Sequence, residues 1–240
     1  MSGDLIIYGV LVFLIAMVAG YISIRSVQIG KANLTFFLTF SGAYLFSITI
    51  IHLLPEVFEH GGHGSMTGVY VLAGFFIQQI LEFFSSGVEH GHMHEHHGEH
   101  QHSKWFTINV LLALCIHSVL EGTLLTDKHG ESIFFGILIH KAPAAFALVS
   151  VLMCHIKSIK KVFLYLTIFA LASPFGMIIS EVFAKPEMQT VVFAIVAGSF
   201  LQISTTIVFE TSADHKFNIR KLIFSFAGAV VAVLSELYLL

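Results

Sequence analysis

The sequence predicts an all-α polytopic membrane protein: eight transmembrane helices gathered into one bundle, in a single domain spanning residues 1–240. Three observations carry this expectation. Of 240 residues, 56% are hydrophobic and only 11% are charged, against about 25% charged in an ordinary globular domain. Mean hydropathy is +0.85, more apolar surface than a soluble fold can hide. Finally, the apolar residues fall into eight runs of the length a helix needs to cross the hydrocarbon core, about 20 residues. The runs are continuous. Barrel strands would instead alternate over about ten residues.

The first run, 5–24, has Asp4 at its start and no positive residue before it, so it reads as a retained span and not a cleaved signal peptide. The second, 33–54, ends in His52-Leu53-Leu54-Pro55-Glu56, with Glu59, His60 and His63 beyond. The third, 67–86, holds Gln78, Gln79 and Glu82; the fourth, 105–125, carries His117 and Glu121; the fifth, 132–153, carries His140, Lys141 and Pro143. The sixth run is 162–183. The seventh, 190–209, contains Gln202, Ser204, Thr205 and Thr206 and stops before Glu210. The eighth is 222–239.

Lys and Arg in the connecting loops set the orientation. Loops after runs one, three, five and seven hold Arg25, Lys31, Lys104, Lys157, Lys160, Lys161, Lys216, Arg220 and Lys221, whereas the opposite side has only Lys128 and Lys185. Nine against two places both termini outside and the loop 87–103 in the cytoplasm. The twelfth positive residue, Lys141, lies within a run.

Histidine, at 15, outnumbers lysine plus arginine, at 12. Seven of these imidazoles, His90, His92, His94, His96, His97, His100 and His102, crowd the 87–103 loop beside Glu89, Glu95 and Glu99. Such a composition cannot build a core, which predicts a disordered, low-specificity binder of transition metals. Net charge of −3 leaves no basic footprint for nucleic acid. Cys115 and Cys154 form no C-x-x-C pair, and the sequence has no P-loop that would couple it to ATP.

An ionisable side chain at membrane depth costs roughly 2.5–3.5 kcal/mol on insertion scales, so each needs a reason. His117 and Glu121 stand four residues apart, which puts an imidazole and a carboxylate on one helix face as two ligands for a borderline divalent cation. Ser118 lies beside them, and Gly122 lets a neighbouring helix come close. In the fifth run, Pro143 cannot donate to the carbonyl of residue 139, which predicts a bend beside His140 and Lys141. The two runs are antiparallel and joined by a short loop, so His117 and His140 sit at comparable depth and can face each other. A hydrogen bond across a helix interface is the plainer reading of any one of these residues, but it supplies only about 0.6 kcal/mol in membranes. His52, Glu56, Glu59, His60 and His63 would line the outer mouth and concentrate cations there. The polar residues of runs three and seven fit either a path or interhelical hydrogen bonds.

With these residues in hand, the chain resembles the Zrt/Irt-like (ZIP) family of divalent metal transporters over nearly its whole length. The resemblance rests on His117-Ser118-x-x-Glu121-Gly122, on His140-Lys141-Ala142-Pro143-Ala144-Ala145, and on the His52-Leu53-Leu54-Pro55-Glu56 ending. It implies a metal site of His117, Glu121 and His140, an inverted repeat relating runs one to three to runs six to eight, and import of zinc or a related ion. The metal would be cargo; no organic cofactor is implied, and the partners are the metal ion, the lipid bilayer and, in an arrangement left open, a second copy as a homodimer. The setting would be a plasma or bacterial inner membrane. Family members with two metals usually carry an acid after the fifth-run proline, where this chain has Ala144, and often one before the sixth-run proline, where it has Ser173. The His-Lys-Ala-Pro-Ala-Ala string looks like one subgroup. A single-metal site follows as the expectation, with Lys141 paired to Glu121 and standing where a second ion would sit. Two other functions share the ligand set: an intramembrane zinc-dependent hydrolase, and a metal sensor or receptor without net flux. Against the hydrolase, no H-E-x-x-H occurs in any run and no spare acid on run five can serve as base.

Overall fold

The computed structural model describes residues 3–25, 31–60, 64–85, 87, 104–125, 131–182, 186–209 and 219–239. Apart from short connections, these residues are helical: α1 (Gly3–Arg25), α2 (Lys31–Ile48), a π-turn (Thr49–Leu53), α3 (Leu54–His60), α4 (Gly64–Ser85), α5 (Lys104–Thr123), α6 (Glu131–His155), α7 (Ile159–Val182), α8 (Pro186–Phe209) and α9 (Ile219–Leu239). Among the described residues there is no strand, and eight stretches are long and apolar enough to cross a membrane. The predicted fold class is the one observed. The His-rich loop residues His90–His102, and with them His63, His129, His215 and Glu210, lie outside the described residues, as does the side chain of His60.

The helices sort into two packed sets. Helices α1, α5, α6 and α7 pack on one another, and so do α2, α4, α8 and α9; α2 against α6 and α4 against α5 join the sets. Central and peripheral helices differ as the bilayer demands. In α6 and α8, 61% of the spanning stretch is buried within the bundle, against 17% in α9. The exposed faces of α1, α4 and α9 carry large apolar side chains such as Ile6, Leu14, Phe76, Phe83, Phe226 and Leu237. In water such a surface would drive association, and against acyl chains it is matched.

The second span corrects its predicted end at residue 54, because the helix continues through the π-turn and α3 to His60. Proline explains both the irregularity and the continuation. Pro55 has no N–H to give, but in the first turn of α3 that donor is dispensable. The preceding turn widens, and the Leu54 N–H bonds to the Thr49 carbonyl, five residues back. Further along the chain, Pro143 and Pro174 lie inside α6 and α7, whose helical runs continue through them.

Close approach of α5 and α7 is built on glycine. A methyl group on Gly122 would stand 2.1 Å from the Ser173 carbonyl oxygen, and one on Gly176 would stand 2.1 Å from that of Val119. Neither backbone leaves room for a side chain, so the two helices meet main chain to main chain just below Pro174. This is the approach expected of Gly122, and it brings Ser173 beside Ser118.

Candidate metal centre

Two helices, α5 and α6, supply the centre. On α5 the four-residue spacing of His117 and Glu121 stacks the two side chains, and His117 Nε2 lies 3.0 Å from Glu121 Oε1. Helix α6 presents His140 and Lys141 toward them. The rings of His117 and His140 stand 6.0 Å apart, centroid to centroid, and nearly perpendicular at 88°. One ligand atom from each of His117, Glu121 and His140 lies within 4.8 Å of the others. All three are buried, at 2%, 1% and 0% exposure. Among the described residues no other group of three His, Cys, Asp or Glu converges so closely.

Lys141 is equally buried, at 1%. Its Nζ donates to Glu121 Oε2 at 3.0 Å, also donates to Ser118 Oγ, and stands 4.3 Å from the centroid of the Phe169 ring. The Glu121 carboxylate is therefore divided, one oxygen toward an imidazole and the other on an ammonium. Ser118 is held in turn from α7. Ser173 Oγ donates to the Ser118 carbonyl at 3.0 Å and lies 3.1 Å from its hydroxyl. Pairing of Lys141 with Glu121, read from charge alone, is what the geometry contains. The contributions of Ser173 and Phe169 from α7 were not legible, since serine and phenylalanine in a span are ordinary; only the position of Ser173 before a proline marks it.

Beyond the C-terminal end of α2, at the π-turn, a second polar cluster forms. His52 Nδ1 lies 2.5 Å from Glu236 Oε1 and His52 Nε2 lies 3.5 Å from Glu56 Oε2. Ser132 Oγ donates to Glu236 Oε2 at 2.7 Å, and the Tyr44 hydroxyl donates to the Ser132 carbonyl at 3.1 Å. Glu59 is exposed and takes no part in these contacts. Glu236 was missed by sequence reading, although a carboxylate in the last apolar run is a signal of the same kind as Glu121.

The open alternative for runs three and seven resolves toward helix association. Ser199 Oγ donates to Gln78 Oε1 at 2.8 Å, and the Gln202 amide donates to Glu82 and, at 3.3 Å, to Thr206 Oγ1. The Ser199–Gln78 and Gln202–Glu82 bonds tie α4 to α8. Ser204 and Thr205 bond carbonyls of their own helix, and Gln79 faces outward, exposed.

Comparison with known proteins agrees in one direction. The family model described as ZIP Zinc transporter matches residues 86–236, more than half of the chain. The sequence is 27% identical over 229 residues to "Zinc transporter ZIP1" of Danio rerio, covering 74% of this chain and 76% of that protein. It is 27% identical over 164 residues to "Zinc transporter ZIP9-B" of Xenopus laevis, covering 61% of this chain and 53% of the relative. To "Protein zntD" of Dictyostelium discoideum it is 30% identical over 170 residues, a quarter of that protein's length. The chain thus spans about three quarters of the first relative and about half of the second.

Proposed function

The chain belongs to the ZIP zinc transporter family, and from that premise we propose that it imports divalent transition-metal ions, zinc foremost, into the cytoplasm through a site of His117, Glu121 and His140. The observation that carries the reading is the convergence of these three ligand atoms within 4.8 Å at full burial. Two imidazoles and a carboxylate are a donor set zinc accepts, with a fourth position for water. Ligand atoms about a tetrahedral zinc stand about 3.4 Å apart, so small side-chain rotations close the site.

Two carboxylates of a two-metal arrangement are replaced here by Ala144 and Ser173, and the ammonium of Lys141 occupies the neighbourhood. The site therefore takes one ion. Without metal, Lys141 neutralises Glu121, which lowers the cost of burying both charges. Metal arriving at Glu121 competes with the ammonium, which Ser118 and the Phe169 ring still hold nearby. Two unit charges about 4 Å apart interact by about 4 kcal/mol at an effective dielectric of about 20. A tethered positive charge thus moderates affinity, and a transporter must bind weakly enough to release. Import as the direction of transport rests on the family likeness; the nine-to-two bias of basic residues supports both termini outside, and an inverted repeat of the outer spans and a plasma or bacterial inner membrane setting belong to the same proposal.

The deciding experiment is radiometal uptake into proteoliposomes holding only this protein. Accumulation that His117→Ala abolishes supports the transporter. Binding without accumulation would favour the other two readings, a zinc-dependent hydrolase or a sensor without net flux.

A further inference from the structure

We propose that His52 and Glu56 form a second, shallower docking site for a divalent transition-metal ion at the α2–α3 end of the bundle, with Glu236 positioning the imidazole. The capture role rests on the transport reading, but binding at this place does not.

Distance is the first argument. His52 Nε2 and Glu56 Oε2 are 3.5 Å apart. A charge-assisted hydrogen bond closes to about 2.7–2.9 Å, whereas two ligand atoms each about 2.0–2.1 Å from a tetrahedral zinc stand about 3.4 Å apart. The observed gap is longer than the first and close to the second, the separation that an ion bridging the two atoms would need.

The other ring nitrogen gives the second argument. Metal-bound histidines almost always donate their far N–H to a carboxylate or carbonyl, which fixes the tautomer and aims the ligating nitrogen. His52 Nδ1 is 2.5 Å from Glu236 Oε1, and the second oxygen of that carboxylate accepts from Ser132 Oγ at 2.7 Å. With Nδ1–H on Glu236, the lone pair of Nε2 points at Glu56. Three elements, the π-turn, α6 and α9, hold one imidazole, and Tyr44 braces Ser132 from behind. The two residues straddle a junction, His52 in the π-turn and Glu56 in the first turn of α3.

Accessibility completes the case. The side chains of His52, Glu56 and Glu236 are 13%, 26% and 12% exposed, open to an arriving ion where the His117 centre is sealed. Two protein ligands with water in the other positions make a fast-exchanging site, suited to handing an ion onward.

The test reads His52 itself. In the full chain, zinc should protect His52 from diethylpyrocarbonate, measured by peptide mass spectrometry, and the half-protecting concentration should be unchanged in His117→Ala. Glu56→Gln should raise that concentration about tenfold or more, and Glu236→Gln by about tenfold, as loss of an orienting carboxylate does. Uptake by Glu56→Gln should meanwhile show a raised KM with the wild-type kcat kept. Equal modification of His52 with and without zinc, in protein whose melting profile is wild-type, would overturn the site and leave His52 as an imidazolium strut between two carboxylates. Protection of His52 in vesicles that accumulate no metal would instead overturn transport and leave the docking site standing.

Discussion

Single side chains decide what the buried centre can do. His117→Ala removes one proposed ligand while leaving the Glu121–Lys141 pair intact, so the protein should fold and its proteoliposome uptake should fall by more than the 10–100-fold typical of losing a mere orienting partner. Uptake within a factor of a few of wild type would refute the site. Glu121→Ala is a harsher change, since it strands a buried ammonium at a cost of about 3–5 kcal/mol; the loss of uptake it causes is interpretable only alongside His117→Ala. Lys141→Ala tests the competition. Relief of a neighbouring positive charge should tighten apparent metal affinity and slow release, seen as a lower KM with a lower kcat at matched protein level, and unchanged uptake would sink the idea. His117, Glu121, His140 and Lys141 were legible because charge in a membrane run is itself the signal. Glu236 and Ser173 act through partners 184 and 55 residues away, and no local pattern announces a pairing at that separation.

Helices place those side chains, and the α5–α7 contact does so with the least tolerance. A methyl group at Gly176 would lie 2.1 Å from the Val119 carbonyl and one at Gly122 equally close to that of Ser173. Backbone on both sides leaves no side chain to swing aside, so the helices must part. Gly122→Ala and Gly176→Ala should each cost about 1–3 kcal/mol, the range for overpacking, read as a lower midpoint of thermal unfolding in detergent. They should also weaken uptake, because Ser173 and Phe169 ride on α7 and hold Ser118 and Lys141. A wild-type midpoint in both variants would show the contact to be loose. Continuous apolar runs made the eight spans readable to within a few residues. The π-turn was not readable, because a proline after a run marks the end of a helix as readily as its restart, and the difference lies in the tertiary contacts of Thr49 and Leu53, both buried.

Across the whole molecule, charge and hydropathy act together to give the bundle a direction. The ends of α2–α3 and α9 and the start of α6 meet around His52, Glu236 and Ser132, so they share one face, and Ser85 and Lys104, which bracket the His-rich loop, belong to the other by the alternation of spans. Basic residues concentrate on that second face, which by the positive-inside bias we propose to be the cytoplasmic one. A cysteine placed at residue 95 in a chain lacking Cys115 and Cys154 should react with an impermeant maleimide only in inside-out vesicles. Labelling from the outer side would reverse the membrane and with it the direction of flow. On the proposed topology and direction of transport, the same loop faces the side where an imported ion would emerge, and its seven imidazoles would offer many weak, exchangeable ligands. Removing residues 90–102 should leave the initial uptake rate largely intact, since no ligand of the buried centre is lost, while weakening the slowing of uptake as metal accumulates inside. Complete loss of initial uptake in that deletion, with the protein still in the membrane, would make the loop part of the path itself.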